Sequence, residues 1–180
     1  MIRSIPILNT ARLRLAGMRP EDFDRYASIW ADPDVVRFIG GRPKTRGESW
    51  EAFLRNAGHW QMTGFGQWGV VMQKTRQMVG QAGFFFTSRG LGDDFDPYPE
   101  AGWVMAPEAQ GQGLGREAVQ AAHDWFDRVI PGRLVAMITA GNERSIGLAR
   151  NLGYQEMRRA EYGGSEVVLM RRDGPPGHRF

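Results

Sequence analysis

Apolar and polar residues roughly alternate from Ala11 to Met18, which predicts a first strand. Pro20 and Glu21 then open a helix with Phe23, Ala27 and Trp30 on one face. Asp32-Pro33 breaks it, and Val35, Val36, Phe38 and Ile39 predict a short second helical piece before Gly40-Gly41. Thr45 and Glu48 have the spacing of a capping box. Behind them Trp50, Phe53, Leu54, Ala57 and Trp60 recur at helical intervals and predict one buried face.

Two strands follow, Gln67–Gln73 and Met78–Thr87, joined by the polar turn Lys74–Gln77. Ser88–Pro99 is rich in Gly, Asp and Pro and reads as a loop ending at Glu100, where a strand Ala101–Met105 begins and Pro107 stops it. A glycine-rich stretch leads into a helix whose inner side carries Leu114, Ala118, Ala122, Trp125, Phe126 and Val129. After Pro131-Gly132, Leu134–Ile138 is an apolar run of the kind found at the centre of a sheet. Asn142 is suited to cap a last helix, Glu143–Leu152, which Gly153 ends. Tyr154–Tyr162 and Ser165–Arg171 form a closing hairpin around Gly163-Gly164. The expected architecture is one α+β domain over residues 1–172, with a mixed, mostly antiparallel twisted sheet of about six to seven strands flanked by helices. The polar, Pro/Gly-rich tail 173–180 is expected to be disordered.

Composition narrows the chemistry. The 180 residues are 42% hydrophobic and 24% charged, ordinary values for a globular domain. No apolar run reaches the ~18 residues that span a bilayer. Arg3, Arg12 and Arg14 are not followed by an apolar signal core, so a cytoplasmic, membrane-free protein is expected. With no cysteine, disulfides, thiolate zinc sites and an acyl-cysteine intermediate are excluded. His59, His123 and His178 are too dispersed for a local ligand motif, so no metal is expected. Only Lys44 and Lys74 break an otherwise all-arginine set of 23 basic residues, and the net charge is +3. The arginines are scattered, which argues against a nucleic-acid stripe but suits a polyanionic small molecule.

Gln110-Gly111-Gln112-Gly113-Leu114-Gly115 stands between a strand and a helix. The first turn of a helix leaves N–H groups unpaired at the positive end of its dipole, and glycines let a backbone approach a phosphate closely. The dinucleotide fingerprint would need glycine where Arg116 stands, and the Gly-Lys-Ser/Thr ending of a P-loop does not occur. What remains is Gln-x-x-Gly-x-Gly, which by itself is either a phosphate-binding turn or a turn without a ligand.

Its neighbours extend the pattern. Glu100-Ala-Gly-Trp-Val-Met-Ala-Pro107, the Gln110–Gly115 loop, Asn142-x-x-Ser145 and Leu152-Gly153-Tyr154 together resemble the GNAT superfamily of N-acetyltransferases. Thr10-Ala-Arg-Leu-Arg-Leu15, Arg19-Pro-Glu-Asp22 and Asp32-Pro-Asp-Val35 resemble the opening of its ribosomal-protein-acetylating, Rim-type branch. The resemblance runs from about Thr10 to Arg171. It implies an acetyl-CoA cosubstrate lying between two splayed central strands. Backbone groups of Trp103 and Met105 would bond the pantetheine arm, and Gln110, Gly111, Gln112, Gly113, Leu114 and Gly115 would hold the pyrophosphate. Asn142 would touch the pantetheine or phosphate end. Arg116 and Arg150 are either partners for the nucleotide phosphates or surface arginines.

Attack of an amine on a thioester needs a proton acceptor, an oxyanion donor and, for the thiolate, a proton. A backbone N–H of the Glu100–Met105 strand suits the oxyanion. The resemblance makes Glu100 the base, directly or through water; otherwise it caps a loop or pairs with an arginine. Strand alternation puts Glu100 and Trp103 on opposite faces unless Gly102 forms a bulge. Many family members carry a tyrosine where this chain has Ala149. Ser145 matches the Rim-type serine near the CoA sulfur, and would either donate to the thiolate or serve as a capping residue. Tyr154 reads as core, and His59 and His123 as structural or solvated. Three functions compete: an amine acetyltransferase, a non-catalytic acyl-CoA-binding module, and a nucleic-acid-associated protein, which ranks last. The acceptor could be a protein N-terminus, an amino acid, a polyamine or an aminoglycoside. Asp93, Asp94, Asp96 and Glu100 would favour a cationic one, and the chain could work as a homodimer.

Overall fold

The computed structural model describes residues 4–174, so the expected tail falls outside the described residues from 175 on. The elements in chain order are β1 (Leu8–Asn9), β2 (Leu13–Ala16), α1 (Phe23–Trp30), α2 (Pro33–Val36), α3 (Arg46–Thr63), β3 (Gln67–Met72), β4 (Met78–Phe85), β5 (Glu100–Met105), α4 (Leu114–Val129), β6 (Leu134–Thr139), α5 (Glu143–Asn151), β7 (Gln155–Tyr162) and β8 (Ser165–Arg172). The strands form one sheet in the order β1-β2-β3-β4-β5-β6-β8-β7. β5 and β6 run parallel, whereas β1–β2, β2–β3, β3–β4, β6–β8 and β7–β8 are antiparallel. The fold is therefore α+β with a mixed, mostly antiparallel sheet, but of eight strands instead of about six to seven. The additional strand, β1, is two residues long, too short for an alternating pattern to reveal it.

The chain forms two compact units, one of residues up to Phe84 with Gly102–Ala122, the other of Phe85–Ala101 with residues from His123 on. In the first unit β2 buries Leu13 and Leu15 and leaves Arg14 and Ala16 half-buried, the period of a one-faced strand. Phe23, Tyr26, Ile29 and Trp30 of α1 pack with Val35 and Val36 of α2, Ala52 and Phe53 of α3, and Met78, Val104 and Ala106 from the sheet side. The capping box opens α3: Thr45 Oγ1 accepts from the Glu48 N–H at 3.2 Å, and the Glu48 carboxylate accepts from the Thr45 N–H at 2.8 Å. The buried stripe of α3 is narrower than the sequence predicts. Ser49, Ala52, Phe53 and Trp60 are buried, but Trp50 is 42% exposed, Leu54 is 51% exposed, and Ala57 is exposed too. These three lie one step around the helix from the buried set, and Trp50 rests at its margin, edge-on to Phe23 at 4.8 Å and stacked on Phe53 at 6.0 Å between ring centroids. β4 approaches the β5 backbone so closely that a Cβ at Gly80 would stand 2.3 Å from the Val104 carbonyl oxygen, so this position requires glycine.

In the second unit Leu134, Val135 and Ala136 of β6 are completely buried, as the apolar run predicts, and Glu100 of β5 pairs with Val135. Phe95, Val135, Val167 and Leu169 form its central cluster. Arg172 is 2% exposed, with two bonds to the Asp127 carboxylate at 2.8 and 2.7 Å and one to the Leu152 carbonyl at 2.7 Å. α5 starts at its Asn142 cap, and Gly153 follows its end at φ 92°. Val129, expected on the inner side of α4, is 56% exposed, because the helix ends there while Trp125 and Phe126 fill the buried positions.

Candidate functional site

In the first unit β5 ends at Met105, a 3-10 turn spans Pro107–Ala109, and α4 begins at Leu114. Between them Gly111 and Gly113 take φ of 75° and 76°, left-handed values that a side chain resists. Their reversal of the chain aims the Gln110–Gly115 backbone at the start of α4, whose first N–H groups have no partner within the helix. Gln110 Nε2 donates to the Met105 carbonyl at 3.1 Å, and Gln112 Nε2 to the Glu108 carbonyl at 2.6 Å. Gly115 packs beside Met105, where a Cβ would be 3.4 Å from Met105 Cγ, an ordinary van der Waals contact. Gln110, Gly111, Gln112, Gly113 and Arg116 are exposed, Gly115 and Trp103 half-buried, and Leu114 and Met105 buried. The structure thus joins the turn to Met105 and leaves Arg116 on the open side of the first turn of α4.

Two residues of the opening motif reach this turn and the helix it opens. Thr10 Oγ1 donates to Glu117 Oε1 at 2.6 Å, and Arg12 bonds both Glu117 and the Gln112 carbonyl. Burial pushes the Glu117 carboxyl upward, but the bonds from Thr10 and Arg12 outweigh it and hold the group below its ordinary range. Their spacing from Glu117 is over a hundred residues, so no local pattern could announce the contact.

In the second unit Glu100 is 3% exposed at the head of β5. Arg89 Nε donates to Oε2 at 2.7 Å and Nη2 to Oε1 at 2.9 Å, while Thr87 Oγ1 donates to Oε2 at 3.0 Å. The pairing with an arginine, one of the two readings of Glu100, is therefore present. A carboxylate offers about four lone-pair positions, and three of them accept these bonds from the described residues. The neighbouring acidic loop is engaged as well. Arg158 bonds Asp94 at 3.0 and 2.9 Å and holds its carboxyl below the usual range, and Asp96 accepts from the Leu91 N–H at 2.9 Å and the Gly92 N–H at 3.3 Å. Three of the four carboxylates expected to attract a cation thus serve contacts within their own unit.

Asn142 Oδ1 accepts from the Ser145 N–H at 3.2 Å, so both residues take part in the cap of α5, and both are half-buried. Arg150 is exposed, 4.0 Å from Glu156. Ala149, at the position of the family tyrosine, is fully buried. Tyr154 is core, as expected: it is 2% exposed, its hydroxyl is 2.9 Å from His123 Nε2, and burial pushes its pKa far above the ordinary tyrosine range. His123 is buried and structural. His59 is half-buried and lies near Thr63 Oγ1 and the Phe65 carbonyl. Among the described residues no group of three or more acidic or histidine side chains could hold a metal ion, and no helix is long and apolar enough to cross a membrane.

The family model described as acetyltransferase (GNAT) domain matches residues 12–155. A GnaT-family acetyltransferase from Bordetella pertussis is similar in structure, with a TM-score of 0.86 and 32% identity over 93% of this chain and 99% of that one. A Bacillus licheniformis protein named uncharacterized N-acetyltransferase p20 is 26% identical over 151 residues, 83% of this chain and 82% of its own. A ribosomal L7/L12 alpha-N-protein acetyltransferase in complex with coenzyme A has a TM-score of 0.73 at 16% identity, covering 93% of this chain and 98% of its own, which is a likeness of fold alone.

Proposed function

The chain belongs to the GNAT acetyltransferase family, and on that premise we propose that it moves an acetyl group from the thioester of acetyl-CoA to an amine by direct transfer. The observation that supports this most is the turn Gln110–Gly115, whose left-handed glycines open a helix of 16 residues. A diphosphate there meets unpaired amides and the positive end of the dipole together. Trp103 and Met105 offer backbone groups to the pantetheine arm, Asn142 an amide, and Arg116 and Arg150 further charge to the phosphates. The amine nitrogen bonds to the acetyl carbon as the carbon–sulfur bond breaks. The ammonium proton passes to the Glu100 carboxylate, directly or through a water, and the Ser145 hydroxyl donates to the departing thiolate. A β5 backbone N–H steadies the oxyanion.

Within the family, the Thr10–Leu15, Arg19–Asp22 and Asp32–Val35 motifs favour the Rim-type branch and so a protein N-terminus as acceptor. The engaged carboxylates of Asp94, Asp96 and Glu100 give a cationic small molecule less support than the sequence suggested. A second reading, acyl-CoA binding without turnover, draws on the occupied Glu100 and on Ala149 in place of the tyrosine. A thiol reagent distinguishes the two, because a chain without cysteine contributes no background to the CoA released. Acetyl-CoA is offered with peptides bearing free N-termini, amino acids, polyamines and aminoglycosides. CoA release with at least one amine is expected. CoA binding with no release from any of them would establish the second reading, and no binding at millimolar CoA would refute both.

A further inference from the structure

The Gln110–Gly115 turn depends on an arginine from the other end of the first unit. Arg12 Nη1 donates to the Gln112 carbonyl at 3.0 Å. Its Nε and Nη2 each lie 2.7 Å from Glu117 Oε2, and its backbone N–H donates to Glu117 Oε1 at 2.8 Å. Glu117 itself belongs to the first turn of α4. One side chain therefore ties the turn to the helix that the turn opens.

A backbone that presents N–H groups to an anion must keep its carbonyl oxygens turned away, since a carbonyl dipole facing a phosphate repels it. Around this turn three carbonyls are drawn off by donors: Met105 by Gln110, Glu108 by Gln112, and Gln112 by Arg12. The first two bonds are local and travel with the loop. The third, in the middle of the turn between the two left-handed glycines, is anchored to the start of the chain. The Arg12 charge is matched by Glu117, so its effect on an anion comes through the carbonyl it holds.

We propose that Arg12 is the positioning residue of the diphosphate turn: by holding the Gln112 carbonyl and Glu117 together, it fixes the amides in the orientation that CoA requires before CoA arrives. This rests on the reading of the turn as the CoA site given above. Preorganisation of this kind acts on affinity, because the bound conformation is already formed in the free protein.

Calorimetric titration with CoA tests it, on wild type, Arg12→Met and Arg12→Lys, well below the melting temperature of each and with near-UV circular dichroism to confirm the fold. In Arg12→Met the Kd for CoA should rise about tenfold, the worth of one net hydrogen bond. Arg12→Lys keeps the charge beside Glu117 but cannot grip two acceptors at once, and should rise about threefold. KM for acetyl-CoA should increase in step while kcat at saturation stays unchanged. A purely structural Arg12 would instead lower the melting temperature and leave the Kd of the folded variant alone. A folded Arg12→Met with a Kd within twofold of wild type overturns the proposal; if that variant does not fold, an unchanged Kd in Arg12→Lys overturns it. Wild-type protein that fails to bind CoA at all would be a different failure, that of the CoA site itself.

Discussion

Arg89 meets Glu100 with both faces of its fork, 2.7 Å from one carboxylate oxygen and 2.9 Å from the other, in a place where the two side chains are only 17% and 4% exposed. The guanidinium also stands over the Tyr162 ring, 5.0 Å from its centre. Such a pair is strongly oriented: the planar fork matches the carboxylate in two bonds, and Thr87 fixes a third. Glu100 is thereby held at the head of β5 by three bonds from described residues. If it takes the acceptor's proton, it does so from a carboxylate already so bound, which suits relay through a water better than direct contact with a bulky amine.

Removing Arg89 would leave the Glu100 charge buried without an opposite one, bonded only to the Thr87 hydroxyl. Arg89→Met should therefore lower the unfolding free energy by about 3–5 kcal/mol, the range for breaking one side of a buried ion pair. Arg89→Met combined with Glu100→Leu should recover much of that loss, because no charge is then stranded. Urea denaturation of the two variants decides the point; a loss under about 1 kcal/mol for Arg89→Met would mean that the pair behaves like a surface one.

Glu100→Gln bears on chemistry. If Glu100 is the base, turnover should fall by roughly 10²–10⁴, the usual contribution of general-base catalysis, with CoA affinity nearly intact. The loss should shrink at high pH, where more of the amine arrives already neutral. Arg89 then faces a neutral partner, so the assay belongs at a temperature where melting curves show the variant folded. Ser145→Ala should cost less, since a thiolate leaves tolerably well unprotonated. Wild-type rates across the pH range in Glu100→Gln would remove Glu100 from the mechanism.

Gly113→Val tests the turn directly. At φ 76° a branched side chain is strained, and its Cβ would stand 3.6 Å from Arg12 Nη2, on the side that holds the turn. The expected result is loss of CoA binding in titration while circular dichroism shows the fold retained. CoA binding equal to wild type would reduce the sequence Gln110–Gly115 to a simple turn.

Much of this was legible along the chain because it is local. The Thr45–Glu48 box, the Asn142 cap, Gly153 after α5 and the hairpin at Gly163-Gly164 each follow from residues within a few positions of one another. The Gln110–Gly115 turn was readable for the same reason. What escaped depends on partners distant in sequence. Nothing near Arg12 names Gln112, and nothing near Asp94 names Arg158. Arg89 is closer to Glu100, yet loop residues have no period that would face one toward the other. Burial misled at Trp50, Leu54 and Val129 because apolar identity was read as an inward direction, whereas the packing of α3 and the end of α4 decide which face is covered.

The capping box of α3 makes a prediction about acid. Glu48 has its carboxyl pulled from 4.5 to about 2, first by the hydrogen bond from Arg42 and then by the Thr45 backbone N–H. A carboxyl whose pKa falls on folding binds protons more readily in the unfolded chain, so protonation favours unfolding. Its contribution to stability is complete above 4.5 and is lost as the pH falls toward about 2. The group is exposed, so the effect is modest and screened by salt. Glu48→Gln should melt below wild type at neutral pH, and the gap should stay nearly constant down to about pH 5, just above the unfolded value. It should narrow between 4.5 and about 2, as wild type takes up the proton that the glutamine variant cannot bind. Thermal melts of both proteins across that range, at low and high salt, measure the gap. A gap that does not change with pH would show that Glu48 supports α3 by hydrogen bonding alone, with its charge contributing nothing.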